Sequence, residues 1–254
     1  MRTVGKYGRR PMRQTNKTVK SRDVMTRHLT SLGPAPAATN NYIGAVTVPW
    51  RMLWNDDLGD CVCADTGHTM MLRTANLGHL IIPPAHKILH LYEEVGGYVL
   101  GDPSTDNGCD EVSMEEYLST EGFMGHKLDN YGTVDETNED FLVWCVQLFG
   151  SCRLGINLPV WAEEAFSNGM SWGLPPTGAD VSIAGGHDVP LVDFRDGHFK
   201  CITWGEEQNI SIEFIRLYCE EAHAELYFDW FNVQGTAPPG FDINQLNSDI
   251  NNVA

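Results

Sequence analysis

Two residues far apart in the chain carry side chains suited to nucleophilic chemistry. Cys61 follows the polar run Asn55-Asp56-Asp57-Leu58-Gly59-Asp60 and opens a segment in which Ala64, His68, Met71, Leu72 and Ala75 recur at helical spacing. A cysteine at a helix start meets unpaired backbone N–H groups and the positive end of the helix dipole, which favour a thiolate and later an oxyanion. His187 follows Gly185 and Gly186 and leads into the apolar run Val189-Pro190-Leu191-Val192, so a strand is its expected carrier. The two glycines leave room for a substrate backbone. A cysteine and a distant histidine are the expected parts of a thiol nucleophile with its general base, because such partners meet only in space. For each residue alone, the competing reading is structural: a buried cysteine, and a histidine satisfied by backbone hydrogen bonds.

Other chemistry fits the sequence less well. Cys61, Cys63 and His68 offer three zinc ligands, but no second close pair completes a tetrahedron, and Cys63 would have to turn toward Cys61 against helical geometry. His86 and His90 share a helix face without the glutamate of a zinc peptidase motif. There is no phosphate-cradling glycine loop and no dinucleotide fingerprint, so neither metal nor cofactor is expected. The seven cysteines are an odd number, and Cys145, Cys152, Cys201 and Cys219 sit in apolar surroundings, which predicts mostly reduced, buried thiols rather than a disulfide framework.

The elements that must position Cys61 and His187 fall into two groups. Helical patterns cover the segment from residue 59 onward, 84–95 and 111–120, the last two each followed by glycine. After a further helix over 139–149 come apolar or alternating runs at 153–158, 188–194, 198–204 and 210–212, which read as strands. Residues 214–231 read as a bulky helix, and the tail after Gly235 as a weak amphipathic segment with Ile243, Leu246 and Ile250 on one side. The fold class expected is therefore α+β, a helical half packed on a strand-rich antiparallel half.

With 254 residues, 42% of them hydrophobic, the chain can bury a substantial core. Its net charge of −17 is uneven: nine of the 17 basic residues (Arg2, Lys6, Arg9, Arg10, Arg13, Lys17, Lys20, Arg22 and Arg27) precede residue 30, opposed there only by Asp23. Residues 1–40, ending in Gly33-Pro34-Ala35-Pro36-Ala37-Ala38, read as an extended basic arm and linker, and residues 41–254 as the folded domain with its tail. The acidic body repels nucleic acid, leaving only the arm for such a role; the arm is expected instead to lie on acidic surface, its own or that of a neighbouring subunit. No apolar run is long enough to span a bilayer, and the basic start is unlike a signal peptide, so a cytoplasmic chain rather than a secreted one is expected.

The residues around Cys61 and His187 resemble the papain-like cysteine peptidases. Asn55 stands six residues before Cys61, where that family places the glutamine of its oxyanion hole; Gly186-His187-Asp188-Val189 is similar to the Gly-His-Ala-Val strand of the family's histidine. Ile202-Thr203-Trp204-Gly205 is similar to Asn-Ser-Trp-Gly, and Asn107-Gly108-Cys109 to part of the substrate wall. The resemblance covers about residues 42–230 and is closer still to uncharacterised papain-like proteins of bacteria and their phages, which share the basic arm, the Asp-Cys loop and the Gly-Gly-His strand.

Three departures from the family pattern matter. Ile202 replaces the asparagine that orients the histidine, which leaves Thr203 as the first candidate partner. Asp60, directly before Cys61, would oppose a thiolate if it were charged and faced the sulfur. Asp110-Glu111 replaces the paired glycines of the substrate groove.

What the resemblance implies is a peptidase or amidase. Cys61 would attack the carbonyl, His187 would take and return the proton, Asn55 and the Cys61 N–H would hold the oxyanion, and Thr203 and Trp204 would support the histidine. The alternative is a catalytically silent papain-like domain used as a building block, for example in a phage particle.

Overall fold

The computed structural model describes residues 1–230 and 241–253. Its helices, in chain order, are α1 (Asn16–Ser31), α2 (Cys61–Asn76), α3 (Ala85–Gly96), α4 (Glu111–Thr120), α5 (Glu139–Phe149), α6 (Val160–Ser167), α7 (Ile212–Tyr218) and α8 (Ile243–Asn251). The strands are β1 (Asn130–Val134), β2 (Cys152–Pro159), β3 (Ile183–Arg195), β4 (His198–Thr203), β5 (Glu206–Ile210) and β6 (Cys219–Leu226). They form one antiparallel sheet in the order β1-β6-β2-β3-β4-β5. The architecture is α+β, with helices α2 to α4 packed on a strand-rich half.

Helix α2 joins the halves. It packs against α3 and α4 on one side and against β3 on the other, so it is buried all round from Cys61 to Thr74 rather than on the one face its apolar spacing suggested. Its polar residues are placed accordingly: Thr66 Oγ1 accepts from Arg153, His68 Nε2 lies 3.0 Å from the Arg51 carbonyl, and Thr74 Oγ1 donates to Met70 O. Gly67 admits the neighbours, since a Cβ there would lie 2.5 Å from a Leu53 methyl and 2.9 Å from an Ile88 methyl. Asp110 and Asn138 cap α4 and α5 by accepting from the Ser113 and Phe141 amides, and α5 ends on Gly150 at φ 83°.

Two expectations are corrected. The first forty residues are not extended throughout, because α1 occupies Asn16–Ser31. Thr15 and Thr18 form its capping box, and Val24, Met25 and Leu29 are buried where the helix packs on β1, α5 and α8. Few apolar residues mark it in the sequence, yet they fall on one face. The helix expected over 214–231 ends at Tyr218, and the chain turns into β6 at Cys219. Glu221, His223 and Glu225 then share one side of the strand and Ala222, Ala224 and Leu226 the other, a period of two that the helical spacing of Leu217, Ala224 and Phe228 obscured. Phe231 and the start of the tail at Gly235 lie outside the described residues; Leu246 and Ile250 of the tail are buried in α8.

The polar side of β6 belongs to a buried ionic layer. Arg153 of β2 is paired with Asp188 at 2.6 Å, Glu225 at 3.1 Å and Asp65 at 3.7 Å. His223 Nδ1 lies 2.8 Å from Glu115 and its Nε2 3.3 Å from Glu221. These two carboxylates hold His223 protonated against the cost of burial, and its pKa lies well above the ordinary histidine value. All seven cysteines are free thiols, with only Cys219 partly exposed.

Candidate active site

The loop before α2 delivers Cys61 through a tight set of turns in which Arg51, Leu53 and Trp54 adopt positive φ (68°, 54° and 76°). A bridge between Arg51 and Gly205 holds this loop against the turn that follows β4. Gly59 N–H donates to Asp106 Oδ1, which also accepts from the Tyr92 hydroxyl, so the loop is tied to α3 as well. Cys61 itself is 1% exposed at the first position of α2, facing β3. Burial pushes its thiol well above the ordinary range, the Asp188 carboxylate adds to this, and a hydrogen bond from the Asp188 backbone opposes it. The sulfur thus lies near the Asp188 backbone, and no hydrogen bond joins it to the His187 ring.

His187 is 1% exposed and paired in register with Ile156 of β2. Its Nε2 stands 2.7 Å from Thr203 Oγ1 at the end of β4, and its ring stacks on the Trp204 indole at a centroid distance of 4.7 Å. Nδ1 has no hydrogen-bonding partner among the described residues, and neither has the buried Trp204 Nε1. With Nε2–H donating to Thr203, the lone pair lies on Nδ1. Burial pushes the His187 pKa down to about 3, so Cys61 and His187 are both neutral in this state. Ile202 contributes only to the core, and the oxygen beside the imidazole comes from the next residue, Thr203.

Replacing Thr203 with valine, nearly the same shape, strands Nε2 in a buried site. The expected cost is about 1–3 kcal/mol, which corresponds to a fall in melting temperature of roughly 2–12 °C in a domain of this size. An unchanged melting curve would show that the 2.7 Å contact does not hold the ring.

Asp60 is fully buried, and desolvation pushes its carboxyl well above the ordinary range. Asp188 points away from the groove into the ionic layer with Arg153. Asn55 is 2% exposed, and its Nδ2 donates to Lys6 O at 3.0 Å and to Leu58 O at 3.1 Å. The group expected to hold an oxyanion thus holds a backbone carbonyl of the arm.

That contact is one of a series. Residues 5–10 run between the Asn55–Gly59 loop, the Gly108-Cys109 wall and the start of β3. Lys6 N–H donates to Asn55 O, Gly8 and Arg9 N–H donate to Gly186 O, Cys109 N–H donates to Gly8 O, and Arg10 N–H donates to Cys109 O. The Tyr7 ring stands edge-on to His187 at 6.1 Å and to Trp204 at 6.2 Å, and its hydroxyl hydrogen-bonds Glu163. Glycine is needed here, since a Cβ on Gly8 would lie 1.6 Å from Gly59 O. The arm's later arginines meet the acidic body: Arg13 pairs with Asp110 and Glu116, and Arg22 with Asp135 and Glu136. Sequence reasoning placed the arm on acidic surface but missed the groove; the one available signal was Gly5 and Gly8 within an otherwise basic, polar segment.

Solved structures with the same arrangement include cysteine proteases. Xylellain from Xylella fastidiosa superposes with a TM-score of 0.62 at 14% identity, over 89% of this chain and 98% of that one. The chain has the papain-like fold. Procathepsin L 3 from the larval midgut of Tenebrio molitor matches with a TM-score of 0.56 at 13% identity, over 87% of this chain and 76% of the other. The Carica candamarcensis cysteine protease CMS1MS2, solved in complex with E-64, gives 0.54 at 14% identity, over 76% and 99%. No protein-family model matches the chain, and no curated protein matches it in sequence. Within the papain-like fold, Cys61 stands at the start of the central helix and His187 on the strand packed against it. Among the described residues no group of three or more His, Cys, Asp or Glu side chains is arranged to hold a metal ion, and no helix is long and apolar enough to cross a membrane.

Proposed function

We propose that the chain is a thiol hydrolase of peptide or amide bonds, held latent by its own residues 5–10. The observation that carries this reading is the state of His187. One ring nitrogen is fixed by Thr203, the ring is clamped on Trp204, and the other nitrogen is buried without a partner beside the helix that Cys61 opens. A buried unpaired nitrogen costs stability, about 1–3 kcal/mol, and such costs concentrate where chemistry requires them. In the reaction His187 Nδ1 accepts the Cys61 proton as the sulfur attacks the carbonyl carbon, then returns it to the leaving amine; water, deprotonated by the same nitrogen, releases the acyl group and regenerates the thiol. The Cys61 backbone N–H and Asn55 Nδ2, freed from Lys6 O, hold the oxyanion.

Displacing the arm exposes the activity. In full-length Gly8→Val protein, whose new side chain cannot coexist with the Gly59 backbone, digestion of denatured casein is expected, and Cys61→Ala in the same background should abolish it. Casein left intact by the Gly8→Val protein, with the groove shown to be open, would remove the hydrolase reading and favour the silent building block. That second reading draws its support from the neutral, fully buried Cys61 and His187.

A further inference from the structure

Arg9 is the most deeply buried of residues 5–10, 6% exposed, and its guanidinium enters a pocket beneath the groove. Nε donates to Glu111 Oε1 at 2.8 Å, and Nη2 donates to Glu220 Oε2 and to Glu221 Oε1, each at 2.9 Å. Glu111 opens α4, Glu220 and Glu221 lie on β6, and the floor is Gly155 of β2. A Cβ on Gly155 would lie 2.3 Å from Arg9 Nε and 2.4 Å from Glu111 Oε1, so only glycine leaves the space that the guanidinium takes. The Glu111 and Glu221 side chains are each 1% exposed, and Glu111 Oε2 has no hydrogen-bond donor among the described residues. Among the described residues His223 is a second cation at this pocket, and Glu115 and Glu221 already engage it.

When residues 5–10 leave the groove, Arg9 leaves with them. Glu111, whose pKa is held at about 8 by burial and the neighbouring Glu221 even with Arg9 in place, then loses its paired cation and Glu221 keeps only His223, a state that an incoming guanidinium relieves. The pocket mouth lies on the path of the groove, because the Arg9 N–H bonds Gly186 O, one residue from His187, and its neighbours on both sides bond Cys109. An aliphatic side chain would leave Glu111 without its paired cation and Glu221 with His223 alone. A lysine supplies one charged nitrogen where the pocket positions two separate guanidinium nitrogens.

We propose that this pocket is a substrate side-chain site that selects arginine, and that Arg9 holds the place of a substrate arginine. The inference rests on the hydrolase reading above and names its substrate class: peptides carrying arginine at the position that passes Gly186 and Cys109.

The test uses full-length Arg9→Ala protein, and Gly8→Val protein in parallel in case the first does not fold. Acetyl-arginine amide at millimolar concentration should raise the melting temperature by several degrees, acetyl-norleucine amide should not, and adding Glu221→Gln should remove the shift. In a set of coumarin amide peptides with one arginine or one norleucine walked along an alanine background, the best arginine peptide should exceed its norleucine counterpart at least tenfold in kcat/KM. Equal cleavage of the two, or no arginine-specific melting shift, overturns the proposal. An arginine-specific shift with no peptide cleaved supports the arginine site and counts against the hydrolase reading alone.

Discussion

Arg153→Leu is expected to destabilise the protein by at least about 3–5 kcal/mol, the usual result of breaking a buried ion pair by removing one partner. In a domain of this size that is a fall of roughly 6–20 °C in melting temperature. The guanidinium is 2% exposed and serves Asp188, Glu225, Asp65, Thr66 Oγ1 and the Val62 carbonyl at once, so its loss strands three carboxylates between α2 and the sheet. The loss should also depend on pH. Burial already holds Asp65 at about 7 with Arg153 in place, and without that cation its pKa rises further. Above about pH 4 the unfolded chain has released protons that the folded variant retains, so the variant's stability should fall as pH rises toward and through 7. Melting curves at pH 5 and pH 8 check both statements. Lys200→Leu, which removes a half-exposed partner of Glu207, is the comparison and should cost less than about 1 kcal/mol. Equal effects from the two substitutions would mean that the ionic layer contributes nothing particular.

Gly8→Val is expected to raise the rate at which iodoacetamide labels Cys61 by about a hundredfold or more. In the native chain Cys61 is 1% exposed, and residues 5–10 are bonded to Asn55, Cys109 and Gly186 around the groove. Five backbone hydrogen bonds and the buried Arg9 pairs oppose the lifting of that segment. An opening free energy of about 3 kcal/mol, modest for a packed segment, suppresses the rate roughly a hundredfold at about 1.4 kcal/mol per factor of ten. Quantifying the labelled peptide at each of the seven cysteines separates this effect from general loosening, because unfolding would expose the others, six of the seven being buried. A labelling rate at Cys61 unchanged by the substitution would show that something other than the arm shields the sulfur.

What the sequence made legible followed local signals. The helices over 111–120 and 139–149 carry cap residues and terminal glycines, and the structure has them with those bounds. The strands around His187 and Thr203 carry clear apolar runs and appear as β3 and β4. Where tertiary partners decide, local signals misled. The run from residue 214 onward has enough helical spacing to suggest one helix, but Glu221, His223 and Glu225 require buried partners that only a strand between β1 and β2 supplies. α1 is stabilised mainly by three apolar side chains against β1, and its basic outer surface hides them from a composition-based reading. The site shows the same division. Cys61, His187 and Asn55 stand out by motif, whereas the Arg9 pocket joins residues separated by 102 and 212 positions and has no local signature. Asp188, read only as part of a strand, proves to anchor Arg153.

The central claim is that His187 activates Cys61, and the pH dependence of Cys61 alkylation tests it most directly. The measurement compares the Gly8→Val protein with the Gly8→Val, His187→Ala protein, each labelled with iodoacetamide from pH 5 to pH 10. A working pair should give a rate that is already on its plateau near pH 7 and at least a hundredfold above that of the His187→Ala form, since the imidazole takes the thiol proton. Two superimposable profiles, both rising only above pH 8 as an ordinary thiol does, would contradict it.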